Sequence, residues 1–335
     1  MTRCELLLIG LLAVAPAAAG GWSEARVSQV GGLPFDHVSA LAWDGTSLWA
    51  GGFDGGLARL HGGRWTAVAA PSPPTASWIN ALCWHDDTLW VGSNAGLGWW
   101  RRGSVHLAPL ERIEGPVNGL RVAGGRLVVA GADAVWVLED PPSDPALADA
   151  RTSEAGGAPA PHVEAEAVGV SVPGDRMVWR QLDLRGESLH AALLVEGKVW
   201  AGGLRGILRQ EDGRWRRYSE LNGALPDSWV TALAPVGDEV WAGTYDAGLL
   251  AIDRRGRVRT VRDGEWVNPN AIELLADGVA IGTQGDGLLV WDRPARRWRW
   301  LTTADGLPSD NVTAVLAVGD RLWVGTRDGL ARIER

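Results

Sequence analysis

Val312-TAVLAVGDRLWVGTRDGLARI, residues 312–333, is the stretch that decides the fold. Three short apolar runs are divided by Gly-Asp and by Arg-Asp-Gly, which reads as three antiparallel strands joined by tight turns. The same unit recurs six more times. It stands as Val38-SALAWDGTSLWAGGFDGGLARL, Ile79-NALCWHDDTLWVGSNAGLGWW, Val117-NGLRVAGGRLVVAGADAVWVL, Leu189-HAALLVEGKVWAGGLRGILRQ, Val230-TALAPVGDEVWAGTYDAGLLAI and Pro269-NAIELLADGVAIGTQGDGLLVW. The Trp of L-W-x-G falls at 49, 90, 200, 241 and 323, with Val129 and Ala280 taking its place in the third and sixth copies.

Successive copies lie 41, 39, 71, 41, 39 and 43 residues apart. A period of about 40 residues built from strands is that of a propeller blade. Four strands of about 5 residues plus turns account for it. The expected fold is all-β: a seven-bladed β-propeller of four-stranded antiparallel blades. The 20 Trp are expected in the wedges between blades, where each buries up to ~200 Å².

Gly31-GLPFDHVSAL aligns without gaps on Asp305-GLPSDNVTAV at a constant offset of 274. Ala25-RVSQVGGLP is therefore expected to be the strand that follows the seventh copy, pairing with the last blade and closing the ring.

The long interval holds an insertion at about 139–176, with PPSDP, EAGGAPAP and EAEAV. Pro, Ala, Gly and acids dominate it, which predicts a loosely ordered loop in blade three. Val178-WRQLDL resumes as the outer strand.

The N-terminus reads as a secretory signal peptide over 1–19. Arg3 supplies a positive n-region, Leu6–Val14 an apolar h-region and Ala17-Ala18-Ala19 a cleavage site, so the mature chain, 20–335, begins near Gly20 as a single domain. The expected location is periplasmic or extracellular. The h-region is too short to span a bilayer, and no later stretch would cross one. Cleavage removes Cys4 and leaves Cys83, so no intrachain disulfide is expected. The formal net charge of −8 excludes a nucleic-acid footprint and docking on an anionic membrane.

The pieces LWVGTRDGLARI (322–333), VWAGTYDAGLLAI (240–252) and DGLPSDNVTAV (305–315) resemble the two-component regulator propeller repeat of bacterial sensors. The resemblance covers the mature chain except the insertion and is weakest in repeats three and six. It implies a propeller in the periplasmic part of a sensor. In that family a transmembrane helix and a histidine kinase follow; this sequence carries no kinase motif and stops after the seventh copy, so a stand-alone propeller is expected.

No catalytic set emerges. His37, His61, His85, His106, His162 and His190 fall in different repeats, none at metal-ligand spacing. Neither a G-x-S-x-G elbow nor a calcium loop occurs. The chain is expected not to be an enzyme, and to need neither cofactor nor metal.

In a propeller the turns after the second strand share one face with the turns that enter the first. On that face Phe53, Asp54, Trp78, Arg205, Trp229, Tyr245, Asp246, Asp286 and Arg327 mix aromatic and charged groups, which suits a polar ligand. Asn268 is read as the entry turn of the sixth blade. One residue after the first Val of each copy stand Ser39, Asn80, Asn118, His190, Thr231, Asn270 and Thr313, polar in every repeat. Such residues need partners and are expected to line the channel mouth or to bond the adjoining turn. The expected function is a non-catalytic binding module for a small polar ligand, glycan, peptide or envelope protein, in a chain expected to be monomeric. The alternatives are a propeller lyase or hydrolase with its site at the channel mouth, and a structural envelope scaffold.

Overall fold

The computed structural model describes residues 22–54, 56–68, 78–101, 104–106, 113, 115–139, 165–172 and 175–335. The signal peptide read at 1–19 and most of the insertion, 140–164, lie outside the described residues.

Seven antiparallel sheets form a β-propeller. Their innermost strands are Val38–Trp43, Ile79–His85, Val117–Ala123, Leu189–Val195, Val230–Val236, Val267–Leu275 and Val312–Val318. In five of the sheets the strands follow outward in chain order, because short Gly and Asp turns favour neighbour pairing; the third and seventh differ. The seventh sheet differs: its outermost strand is Arg26–Gln29, paired antiparallel with Gly329–Glu334 so that Arg26 faces Glu334 and Gln29 faces Ala331. The third sheet has five strands. Beyond Asp175–Asp183 lies Ala165–Val172, the two paired from Val172–Asp175 to Ala165–Leu182. Part of the stretch expected to be loop is therefore a pair of antiparallel strands.

The repeated Val and Gly pack against each other between blades. Gly51, two residues after Trp49, lies under Ile79 of the next blade; a methyl group on it would stand 2.5 Å from the Ile79 Cγ2. Gly243 lies likewise under Val267, at 2.4 Å from its Cγ1. The third blade substitutes a matched pair, Ala130 with Leu189, which is not branched at Cβ, both buried in one cluster.

Strand pairing corrects the alignment in two places. Gly119 faces Ala130 as Ala232 faces Gly243. Val128, not Val129, therefore occupies the Trp position of blade three. In the sixth blade Val267 pairs with Thr283 and Ile272 with Ile281, so two residues more than in the other blades are accommodated at the bulge. The strand begins at Val267 rather than Pro269. Asn268 therefore holds the polar position assigned by sequence to Asn270, and Trp266 the entry position assigned to Asn268.

The five aligned Trp of the second strands are buried, Trp49 completely. Where Ala280 leaves the wedge between blades six and seven short of volume, Trp22 joins the same cluster and is itself buried.

Candidate functional site: the entry face and the channel

Every innermost strand carries a β-bulge at its polar residue. A bulge re-aims a side chain, and here it points that residue at the next blade. The Ser39 hydroxyl donates to the Ile79 carbonyl (2.5 Å), Asn80 Nδ2 to Val117 O (3.1 Å) and Asn118 Nδ2 to Leu189 O (2.7 Å). His190 Nδ1 pairs with Val230 O at 3.0 Å, as donor in the tautomer that suits a carbonyl. Asn268 Nδ2 donates to Val312 O (2.7 Å), and the Thr313 hydroxyl donates to Val38 O. Six of the seven joints are bonded this way. At the seventh, between blades five and six, the Thr231 hydroxyl is buried without a protein partner among the described residues.

Asn270 is displaced by the longer bulge and takes a left-handed backbone, φ 55°. Its amide crosses the channel to donate to Asn118 O of blade three at 2.6 Å. A second crossing runs the other way, from Arg121 Nη2 to Ile272 O (3.2 Å). Between and beyond these bridges lies a cavity of about 400 Å³. Ser39, Asn80, Asn270 and Thr313 border it on the entry side, and Trp43, Trp84, Val122 and Leu316 on the other. Asn118, His190 and Thr231 are not in its wall.

Arg121 and Glu273 are the charged residues of that wall. Both are enclosed by the propeller yet keep surface of their own, because that surface faces the cavity. Burial lowers the Arg121 pKa, which the Glu273 charge partly offsets. Burial raises the Glu273 carboxyl, opposed by the Ala317 N–H that donates to it (3.0 Å) and by Arg121. Cys83 also lines the cavity, and burial pushes its thiol up to about 11. Sequence reasoning missed Arg121 and Glu273: each occupies an ordinary strand position, and only ring geometry brings them together.

On the entry face, one backbone bond per blade ties the turn after the second strand to the entry turn. Phe53 N donates to His37 O (3.1 Å), Tyr245 N to Trp229 O (3.0 Å) and Arg327 N to Asn311 O (3.0 Å). That spacing stacks aromatic residues across blade joints. Phe53 lies between His37 (5.1 Å, 23°) and Trp78 (4.6 Å, 26°). Tyr245 lies between Trp229 (4.1 Å, 7°) and Trp266 (3.8 Å, 54°). The two stacks occupy the joints of blades one and two and of blades five and six. Trp78 remains 44% exposed and Trp229 40%.

Asp54, Arg205, Asp246, Asp286 and Arg327 are exposed at the turns beside them. The Asp246 N–H is fixed by Asp227 Oδ2 (2.8 Å) and the Asp286 N–H by Thr283 Oγ1 (3.2 Å), so these turns are held in place. Burial lowers the His37 pKa and Arg327 adds to this, while Asp54 and Asp328 oppose it. Trp266 was not among the sequence candidates. The signal was present, since Trp266-Val267 repeats Trp229-Val230.

Among the described residues no three His, Cys, Asp or Glu side chains gather as a metal set. No helix among them is long and apolar enough to cross a membrane.

No family model matches the chain, and no curated protein does. Solved structures share its fold. The extracellular domain of BT4673 from B. thetaiotaomicron, described both as a one-component and as a hybrid two-component system, superposes with a TM-score of 0.68 at 14% identity over 92% of this chain and 39% of that one. The extracellular domain of the hybrid two-component system BT3049 from the same organism gives 0.68 at 15%, over 92% and 41%. YCF48 bound to D1 peptide gives 0.63 at 11%, over 95% and 99%. The chain thus spans about two fifths of the length of these two extracellular domains. These neighbours include extracellular parts of two-component proteins, the kind of protein whose propeller repeat the sequence resembles.

Proposed function

We propose that this chain is a non-catalytic recognition propeller, periplasmic or extracellular, that binds a glycan or an extended peptide across its entry face. The observation that carries this reading is the pair of aromatic stacks. In each, a ring backed by another ring keeps an open surface, at Trp78 and at Trp229. Exposing two tryptophans costs burial, of the order of 25 cal/mol for each Å² left in water, and a binding face recovers it. Backed rings lose little conformational freedom when a sugar ring or a peptide plane lies on them, and the flanking Asp54, Asp246, Arg205 and Arg327 orient hydroxyls or amides. YCF48, which shares the fold, has a peptide in its solved complex. The extracellular domains of two-component proteins that share the fold motivate the compartment and a role in reporting an external ligand.

The test is a glycan-array and peptide-library screen of the purified protein, followed by calorimetric titration of the hits. The account expects Trp229→Ala and Trp78→Ala each to weaken binding by tenfold or more, about 1.4 kcal/mol, as anchor residues do. Hits whose affinity neither substitution changes would remove the entry face from consideration.

A further inference from the structure

The entry face leaves the channel cavity unused, and its chemistry differs from that of the aromatic stacks. Its wall is as much polar as apolar, and Leu41, Leu82, Leu120, Val315 and Leu316 supply much of the apolar part. Its volume of about 400 Å³ lies within the range of small-molecule sites. The Asn270 crossing and the polar residues Ser39 and Thr313 bound it on the entry side. Toward the opposite face it reaches Val122, which is 39% exposed. A ligand there would enter from the face away from the stacks.

The wall carries one cationic group. A guanidinium has five N–H donors in a planar fork, and Arg121 makes a single protein hydrogen bond among the described residues, to Ile272 O. Bringing such a group into the channel is costly unless its donors meet acceptors. No ion pair joins it to Glu273 among the described residues, and the Glu273 carboxylate is engaged by the Ala317 N–H.

We infer that the cavity is a second binding site, specific for a small organic carboxylate with an apolar body, its carboxylate on the free edge of the Arg121 guanidinium and its body against the leucine-lined wall. The planar fork matches a carboxylate in two parallel hydrogen bonds, which a neutral amide cannot make. Glu273 discriminates by charge: it repels an anion when ionised and repels it less when protonated. It therefore weakens the binding of carboxylates and attracts an ammonium group that Arg121 repels, so the preference for an anion rests on Arg121 alone.

The experiment uses phenylacetate and hexanoate as probes, with phenylacetamide and phenethylamine as neutral and cationic counterparts. Binding is read by calorimetry and by the fluorescence of the tryptophans Trp43 and Trp84 at the cavity. Both carboxylates are expected to bind, and the amide and the amine each tenfold or more weaker. Arg121→Met is expected to abolish the preference for acid over amide, and Glu273→Gln to keep or tighten carboxylate binding. Because Arg121 also bridges two blades, Val122→Trp, which narrows the mouth and leaves the guanidinium intact, is expected to block every probe. Equal binding of acid and amide, carboxylate binding unchanged in Arg121→Met, loss of binding in Glu273→Gln, or no binding by any probe would overturn the assignment. Variants at Trp78 and Trp229 leave this site untouched, so its failure is separable from that of the entry face.

Discussion

Asn270 of the sixth blade donates its amide N–H to the carbonyl of Asn118 in the third, 2.6 Å away across the channel. Rings of blades are usually joined only to their neighbours; this bond ties two that are not adjacent. It exists because two extra residues at the sixth bulge push Asn270 inward, in a left-handed conformation that asparagine tolerates better than most residues. Asn270→Gly keeps the backbone and removes the bond, and should cost about 1 kcal/mol. Asn270→Ala also strains φ and should cost about 1 kcal/mol more. Chemical denaturation of both variants separates the two contributions; equal losses would mean that backbone strain is not part of the position's role.

The belt of joints predicts a contrast between two threonines. The Thr313 hydroxyl donates to Val38 O, whereas the Thr231 hydroxyl is buried with no protein partner among the described residues. Thr313→Val should destabilise by about 1–2 kcal/mol because it strands a buried carbonyl. Thr231→Val should be neutral or slightly stabilising. The midpoints of urea unfolding decide between them, and a reversed order would contradict the belt.

His190 introduces a pH dependence of known sign. Burial holds its pKa below the ordinary 6.5, with the bond to Val230 O in partial opposition. The unfolded chain therefore takes up a proton here before the folded one does. Stability is lost as pH falls through 6.5 towards the lower folded value, and is regained as pH rises. His190→Asn preserves the joint, as Asn80 and Asn118 do in their blades, and does not titrate. Its melting temperature should fall less than that of the wild type between pH 7 and pH 5. Parallel curves would show that His190 takes up its proton alike in the folded and unfolded states, contrary to this account.

Gly243 should be intolerant of even a methyl group, since a Cβ there would lie 2.4 Å from Val267 Cγ1. Overpacking of this kind costs about 1–3 kcal/mol. The double substitution Gly243→Ala with Val267→Ala should recover part of that loss, which a double-mutant cycle measures. If the two losses simply add, the contact does not limit the joint.

The blade count and the order of strands were legible because a period of about 40 residues leaves few alternatives. The Val-and-Gly contact between blades was written in the same motif, but its meaning required the neighbouring blade. Errors of register arose where the repeat decays. Val128 and Val129 are interchangeable to a pattern reader, and the extra Pro269-Asn270 hid the match of Trp266-Val267 to Trp229-Val230. Aromatic candidates on the entry face could be read because turn positions are fixed by the repeat. Arg121 and Glu273 could not, since their proximity depends on two blades meeting across a ring, with more than 150 residues between them.

The most direct test of the central claim, that ligands are recognised on the entry face, is amide hydrogen exchange of the protein with and without a saturating glycan or peptide from the screen. The account predicts slower exchange in the turns after the second strands around Phe53 and Tyr245 and in the entry turns at Trp78, Trp229 and Trp266. It predicts no change in the hairpins between first and second strands on the opposite face. Protection confined to those opposite hairpins, or to the outer strands, would contradict it.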